Sequence, residues 1–227
     1  MGFFFVVILV ISITGKDVIL ALAGYFNHDE VLNHAIEFTG DGVASLTIDQ
    51  RLSIANMTTE WGALAGVFPI DSVLLKWLTT RAEYLKKRGP AGVPSDADAS
   101  NRLDLQRVEV LKQNIPAADA DAYYAKEIVF DLNKVQPYVS GPNTVKVMTS
   151  VNEMRRKKVK IHKAILVSCV NSRLEDIATA AKVVRGKKVA PGVEFYVAAA
   201  SNEVQKRAEE AGYWQDLLEA GAIPLPP

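Results

Sequence analysis

The first 87 residues alternate between apolar positions with helical spacing and short apolar runs typical of strands. Predicted strands cover "HAIEFTGDG" and "AGVFPID", and predicted helices cover "TGKDVILALAGYF", "TIDQRLSIANMTTEWGALAG" and "SVLLKWLTTRAEYLKKR". Thr14, with Asp17 three residues later, and Asp71 before the third helix are typical N-caps. This alternation of helix and strand predicts an α/β fold.

The composition changes after the third predicted helix. The stretch Gly89–Asn101 is rich in Pro, Gly, Asp and Ser, which predicts a loop or linker, and "NRLDLQRVEVLKQN" follows as a helix. Strand-like segments return from "DAYYAKEIVF" onward, where Pro137 and Pro142 are predicted to mark a crossing between subdomains. We therefore expect a first α/β subdomain, an insertion and a second α/β subdomain, over residues 1–87, 88–127 and 128–227.

The clearest pattern lies in the last third of the chain. Strand "HKAILVSC", helix "LEDIATAAKVVRG", strand "VEFYVAAA" and helix "NEVQKRAEEAG" follow one another. Continuous aliphatic strands predict a buried, doubly wound parallel sheet, and the whole pattern predicts two three-layer α/β/α subdomains with mainly parallel sheets. No closing element is predicted for "GAIPLPP", so we expect an open sheet edge through which copies of the chain self-associate.

The N-terminal run "MGFFFVVILVISI" is apolar but stops at Lys16. It is shorter than the roughly 20 residues that span a bilayer, and it lacks the positive start of a signal peptide. A buried strand of a parallel sheet has this continuous, β-branched character, so we interpret the run as such a strand or as an aberrant start, with a secretion signal as the alternative. We expect no membrane partner.

The charges balance, with 26 Lys and Arg against 26 Asp and Glu. A nucleic-acid-binding surface normally brings a basic surplus, so we expect no nucleic-acid partner. The basic run "RRKKVKIHK", Arg155 to Lys163, is interpreted as a solvated approach to a strand rather than a binding patch.

The single cysteine, Cys169, is the last residue of the predicted strand "HKAILVSC", in the stretch "LVSCVNSR". Ligands of doubly wound sheets bind at the carboxyl ends of the strands. Asn171 and Ser172 are predicted to cap the next helix, whose free amides favour a thiolate. Spacing alone leaves three interpretations open: a buried inert thiol, a nucleophile and a metal ligand. The three histidines offer no recognisable thiol-hydrolase arrangement.

A resemblance adds to these observations. The segments "SCVNSRLEDI", "AAKVVRGKKVAPGVEFYVAAAS" and "TGKDVILALAGYFNHDEVLNHAIEFTGDGVASLTIDQRLSIANMTTEWGALAGVFPID" resemble the aconitase superfamily, with wording most similar to the fungal homoaconitases. The resemblance covers most of residues 14–87 and 128–227. It implies a [4Fe–4S] hydro-lyase of the mitochondrial matrix that acts on a tricarboxylate. In lysine biosynthesis such an enzyme interconverts homocitrate, cis-homoaconitate and homoisocitrate.

The resemblance also implies roles for single residues. Cys169 matches one of three cysteine ligands of the cluster, Glu60 matches a catalytic glutamate, and Asn56 matches an asparagine beside cluster and substrate. Asn56 and Glu60 are four residues apart on a predicted helix and so share one face, which without the resemblance would be interpreted as solvated. Three further residues are expected next to the cluster or substrate: Asn171, Ser172 and Arg173.

The chain also departs from the family pattern. In the family, the other two cluster cysteines form a C-x-x-C pair beyond "GAIPLP". The family also has a first domain with catalytic His and Asp residues, and a swivel domain with a serine base and arginines. None of these features is found in the chain. Val170 stands where a threonine is usual. Because one cysteine cannot hold a four-iron cluster, we expect this chain alone to be inactive and to bind no stable cluster.

Three alternatives to a homoaconitase remain: a non-catalytic fragment, a subunit of a split enzyme, and a related aconitase or 3-isopropylmalate dehydratase. If the family site is retained, the Glu60 and Cys169 side chains should lie within roughly 10–12 Å of each other across a cleft.

Overall fold

The computed structural model describes residues 2–6, 13–89 and 103–227. They form two compact units, Met1–Pro137 and Tyr138–Pro227. The division follows Pro137, one of the two prolines predicted to mark a crossing between subdomains. Most of the Gly89–Asn101 stretch, and the predicted N-terminal strand beyond Val6, lie outside the described residues.

The first unit contains four strands and four helices in its described part. They are β1 (Gly2–Val6), α1 (Gly15–Tyr25), β2 (Ala35–Thr39), α2 (Ile48–Trp61), β3 (Ala65–Val67), α3 (Ser72–Arg88), α4 (Leu105–Gln113) and β4 (Glu127–Asp131). The helices and strands predicted from the sequence pattern in this unit are confirmed.

All strands of the first sheet are parallel, in the order β3-β2-β1-β4. The N-terminal strand is therefore central, with Phe3 in register with Phe38 of β2 and with Ile128 of β4. Since β4 pairs with β1, it belongs to the first sheet, although its residues fall mostly within the segment 128–227 that was assigned to the second subdomain. The predicted parallel α/β architecture is confirmed.

Local signals explain where the helices of this unit begin and end. The Thr14 hydroxyl accepts a hydrogen bond from the amide of Asp17, and the Asp17 carboxylate accepts one from the amide of Thr14, which makes the predicted capping box. Asp71 caps α3 by accepting from the amide of Leu74 at 3.0 Å. Gly62 ends α2 in the left-handed conformation, with φ of 110°, which costs glycine little.

The core of the first unit lies between its helices and the sheet. Trp61 is buried at the end of α2, and its indole Nε1 donates to the carbonyl oxygen of Phe26 at 2.6 Å. Phe38 of β2 stacks on Phe68 with ring centroids 4.5 Å apart. The largest fully buried side chains of the unit are those of Trp61, Phe38, Ile19, Leu22, Ile36, Ile54, Val18 and Val31.

The second unit begins with a short hairpin and continues as a parallel α/β segment. Its elements are β5 (Tyr138–Ser140), β6 (Met148–Ser150), α5 (Val151–Lys157), β7 (Lys163–Leu166), α6 (Leu174–Val184), β8 (Glu194–Val197), α7 (Asn202–Glu210), α8 (Tyr213–Ala220) and β9 (Ala222–Pro224). Strands β5 and β6 are antiparallel, and β7-β8-β9 form a parallel sheet in that order.

One prediction for this unit is wrong. The chain does have a closing element after α7, because α8 leads into β9, which pairs with β8. Helices α6, α7 and α8 pack with β8 and β9 around the buried side chains of Ile177, Ala181, Val197, Ala199, Ala208, Trp214, Leu217 and Ala222. The short strand "AIP" escapes a pattern search because it has three residues and contains a proline.

The strands of the second sheet are also less buried than predicted. Side chains on one face, such as Leu166 and Phe195, pack against the helix cluster. On the other face Ile165 is 62% exposed, and Lys163 forms an ion pair with Glu194 at 3.2 Å. A continuous aliphatic run predicts burial on both faces, whereas the described helices of this unit cover only one.

In the parts of the chain that the structure describes, no helix has the length and apolar character needed to cross a membrane.

Candidate functional site

Helix α2 positions Asn56 and Glu60. One side of this helix is buried in the first unit and includes Ile54, Met57 and Trp61. Asn56 and Glu60, four residues apart, lie on its exposed side. The Thr59 hydroxyl donates to a Glu60 carboxylate oxygen at 2.9 Å, so that carboxylate has a local partner while remaining open to solvent.

An ion pair between a buried arginine and a partly exposed aspartate anchors the start of α2. Arg51 is only 4% exposed, and its guanidinium donates to both carboxylate oxygens of Asp71 at 2.9 and 2.7 Å. It also donates to the backbone carbonyls of Leu46 at 3.2 Å and Val43 at 2.8 Å. Because Asp71 also caps α3, the pair fixes the start of α3 against α2.

Opposing effects set the ionisation of Asp71. Partial burial disfavours its charged form, but hydrogen bonds from Arg51 and from the amide of Leu74, with the positive charge of Arg51, outweigh this. The pKa of Asp71 therefore lies below its ordinary value. The carboxylate is charged at neutral pH, as the bidentate pair requires.

Lys16, at the start of α1, is electrostatically coupled to Glu60. Burial lowers the pKa of Lys16, and the negative charge of Glu60 offsets part of that effect. Helix α1 approaches α2 closely here: a Cβ placed on Gly15 would lie 2.6 Å from the carbonyl oxygen of Gln50. The first unit thus places a lysine of α1 within electrostatic range of the glutamate on α2.

Cys169 lies in the turn after β7, three residues beyond the end of that strand at Leu166, whereas the predicted strand ran to Cys169 itself. Ser168 has φ of 102°, in the left-handed region. Its hydroxyl accepts hydrogen bonds from the amides of Val170 at 3.2 Å and Asn171 at 3.1 Å. The Cys169 thiol is free and exposed, so the interpretation of a buried inert cysteine is wrong.

The turn after Cys169 leads into α6 differently from the prediction. Asn171 and Ser172 do not cap the helix; Arg173 is the N-cap residue, and its amide donates to the Asp176 carboxylate at 3.1 Å. Ser172 is completely buried, and its carbonyl accepts from the amide of Ala200 at 2.9 Å. That bond ties the turn to the end of β8.

The Ser172 hydroxyl is unusual, because it is buried without a hydrogen-bond partner among the described residues. An unsatisfied buried hydroxyl is costly and calls for an explanation. Neither helix capping nor surface solvation accounts for it.

The predicted site residues therefore form two groups. Asn56 and Glu60 lie in the first unit, with Lys16 within electrostatic range of Glu60. Cys169, Asn171, Ser172 and Arg173 share the turn before α6 in the second unit. That the two groups face each other across one cleft stays a prediction.

A four-iron cluster does not fit the residues of this chain. Such a cluster requires several thiolate ligands, and the 227 residues contain one cysteine. Within the described ranges, no group of three or more His, Cys, Asp and Glu side chains is arranged to hold a metal ion. Cys169 could contribute one ligand, and the remaining thiolates would have to come from another polypeptide segment.

Two charged residues near Asn56 and Glu60, Arg51 and Lys16, were not predicted from the sequence. Arg51 stands at a position of α2 that otherwise faces the core, and a charged residue in a buried helical stripe is a detectable signal for a buried pair. Lys16 follows the Thr14 cap directly. Its proximity to Glu60 depends on how α1 and α2 pack, so no local pattern reveals it.

Comparison with protein families defines the class of this chain. The model of the aconitase family (aconitate hydratase) matches residues 8–160 and 151–227. The match covers both groups of candidate residues. The chain belongs to the aconitase family.

Individual relatives narrow the comparison to mitochondrial homoaconitases. The protein of that name from Debaryomyces hansenii is 54% identical over 213 residues, which is 94% of this chain and 29% of the relative. Those from Mycosarcoma maydis and Cryptococcus neoformans are 53% and 56% identical over 220 residues, 95% of this chain and 30% of each relative. The chain thus spans about three tenths of the curated relatives it matches.

Proposed function

We propose that this chain is a part of a homoaconitase-type hydro-lyase, the part that carries the glutamate and one cluster ligand of the active site. The observation that carries the proposal is the 54% identity to a homoaconitase across 94% of the chain. Similarity at this level, spread over both units, favours a common substrate class and not merely a common fold.

The proposed reaction is the reversible dehydration of homocitrate to cis-homoaconitate and its rehydration to homoisocitrate, a step of lysine biosynthesis. The substrate is a tricarboxylate, and the proposed compartment is the mitochondrion, after the names of the relatives. In the dehydration a C–O and a C–H bond break, a C=C bond forms and water leaves. The leaving oxygen must gain a proton, and the neighbouring carbon must lose one.

Glu60 is the proposed acid–base group at the substrate's hydroxyl oxygen. Its exposure on α2 leaves the carboxyl free to reach a ligand, and Asn56, one turn earlier, can hydrogen-bond the same ligand. The base that removes the carbon-bound proton is not assigned to any residue of this chain.

Cys169 is the proposed ligand of the family's [4Fe–4S] cluster, with Asn171, Ser172 and Arg173 next to cluster or substrate. The exposed thiol at the end of β7 is accessible for such ligation. Because the other thiolates must come from elsewhere, we expect the chain alone to be catalytically inactive.

A chimeric enzyme tests the proposal. Residues 13–227 of this chain replace the matching segment of the Debaryomyces hansenii homoaconitase, and hydration of cis-homoaconitate is followed by ultraviolet absorbance. We expect the chimera to hydrate cis-homoaconitate. We expect cis-aconitate and the isopropylmalate-derived alkene to be poorer substrates, by kcat/KM.

A chimera that folds and binds iron but hydrates none of the three compounds would contradict the proposal and favour a non-catalytic role. A clear preference for one of the other two alkenes would instead assign the chain to a related dehydratase. The unmodified relative, prepared in parallel, controls for assembly of the cluster.

A further inference from the structure

A strongly basic, exposed stretch lies between α5 and β7. We call Arg155–Lys163, "RRKKVKIHK", the basic segment; all nine of its residues are exposed. It contains six Lys and Arg and one His, in a chain whose formal net charge is zero. The segment therefore concentrates positive charge locally, although the whole chain shows no surplus.

Most of this charge is not neutralised nearby. Lys157 pairs with Glu153 at 3.3 Å, and Lys163 pairs with Glu194 at 3.2 Å. The other four cations form no ion pair or hydrogen bond within the described part of the chain; they are Arg155, Arg156, Lys158 and Lys160. Four unpaired cations within six residues repel one another, so an anionic partner would stabilise this arrangement.

Two apolar side chains are interleaved with these cations. Val159 is 58% exposed and Ile161 is 54% exposed, and they alternate with Lys158, Lys160 and His162. A single exposed aliphatic residue is ordinary, but two within a cationic stretch give the combination of charge and apolar surface that interfacial anchors use.

We infer that the basic segment is a docking surface for anionic phospholipid membranes, bound peripherally. Each Lys or Arg near such a surface favours binding by about fivefold, and Val159 and Ile161 can enter the boundary between headgroups and acyl chains. This inference needs no membrane-spanning helix. It revises two expectations from the sequence: that the run is only a solvated approach to a strand, and that the chain has no membrane partner.

Two other polyanions fit the segment less well. Single-stranded nucleic acid is usually held by aromatic side chains that stack on bases, and the basic segment contains none. An acidic protein surface would have to match fixed charge positions, whereas lipid headgroups move laterally to meet long, unpaired Lys and Arg side chains. The exposed Val159 and Ile161 favour a partner with an apolar layer beneath its charges.

Vesicle sedimentation with the intact chain tests the inference. Phosphatidylcholine vesicles with and without phosphatidylserine are compared at low and at physiological ionic strength. We expect binding only to the phosphatidylserine vesicles, weakened by salt. The double variant Lys158→Gln/Lys160→Gln should lower the partition coefficient about 30-fold, and Val159→Ser/Ile161→Ser should lower it roughly tenfold.

The matched control is Lys86→Gln/Lys87→Gln, which removes two exposed charges from the end of α3 in the other unit. It should leave the partition coefficient within about twofold, and circular dichroism verifies the folding of every variant. Equal losses in the control and in Lys158→Gln/Lys160→Gln would overturn the inference, as would binding to neutral vesicles. Failure to bind phosphatidylserine vesicles, with salt-sensitive binding of poly(U), would assign the segment to nucleic acid instead.

Discussion

The pair of Arg51 and Asp71 shows how single residues hold the helix that carries the candidate glutamate. The Arg51 side chain is almost completely buried, and its guanidinium donates hydrogen bonds to two backbone carbonyls and to one carboxylate. Removing one member of a buried pair leaves the other charge uncompensated, which costs more than the pair itself contributes. The helix N-cap function of Asp71 can be preserved separately, since asparagine is also a good cap.

Asp71→Asn should therefore destabilise the first unit by about 1.5 kcal/mol at pH 7 while retaining the cap. The pKa of Asp71 is lower in the folded protein than the value of about 3.9 expected when unfolded. Its stabilising contribution is thus complete above the unfolded value and is lost as pH falls through the folded pKa. Urea unfolding should show the variant and wild type converging at acidic pH.

The control for that experiment is Asp119→Asn, a change at an exposed position. It should alter the free energy of unfolding by less than about 0.5 kcal/mol at any pH. A constant difference between Asp71→Asn and wild type from pH 7 to strongly acidic pH would contradict the assigned role of the ion pair.

Glu60→Gln should lower the pKa of Lys16 further. The glutamate charge partly offsets the effect of burial on this lysine, and glutamine removes that charge without changing the size of the side chain. Titration of the Lys16 side chain by heteronuclear NMR measures the shift. Glu83→Gln, on the exposed side of α3, should leave the pKa of Lys16 unchanged. If Glu60→Gln also leaves it unchanged, Lys16 does not interact with Glu60.

At the scale of elements, local signals decided which predictions succeeded. Thr14, Asp71 and Gly62 each specify one helix end through bonds to near neighbours, so their roles follow from the sequence. Strand β9 and the uncovered face of the second sheet were not predicted, because both depend on how helices α6 to α8 are distributed around the strands. Nor does any pattern in the sequence reveal the left-handed Ser168 that precedes Cys169.

The close approach of α1 and α2 gives a test at this scale. Gly15→Ala should destabilise the first unit by about 1–3 kcal/mol, because the added Cβ would lie 2.6 Å from the carbonyl oxygen of Gln50 and the backbone must shift. Intrinsic helix propensity predicts the opposite, a gain of up to about 1 kcal/mol. Thermal unfolding distinguishes the two, and Thr80→Ala on α3 controls for propensity alone. A stabilised Gly15→Ala variant would contradict the described helix contact.

At the scale of the whole molecule, the fold could be predicted from the sequence, but the chain supplies only one of the cysteine ligands that a four-iron cluster needs. Helical and strand periodicity was sufficient to predict a parallel α/β architecture. The candidate site could not be predicted from periodicity. Without the family resemblance, Asn56 and Glu60 are ordinary exposed helix residues, and Cys169 is one thiol in a turn. Asn56 and Cys169 are distant in sequence, so no local pattern could assign them to the same site.

The isolated chain should hold no stoichiometric [4Fe–4S] cluster after anaerobic reconstitution, since its one cysteine supplies one thiolate. Iron and sulfide analysis, with the broad absorbance near 400 nm that such clusters show, measures this. The Debaryomyces hansenii relative, reconstituted in parallel, is the positive control. Four irons per monomeric chain would contradict the expectation.

The central claim is that Glu60 and Cys169 serve one active site, and paired variants of the chimeric enzyme test it most directly. Cys169→Ser should lose both bound iron and hydration of cis-homoaconitate. Glu60→Gln should keep the full iron content while kcat falls by roughly 10²- to 10⁴-fold, the range expected for loss of an acid–base group. Full iron and activity in Cys169→Ser, or undiminished kcat in Glu60→Gln, would contradict the account.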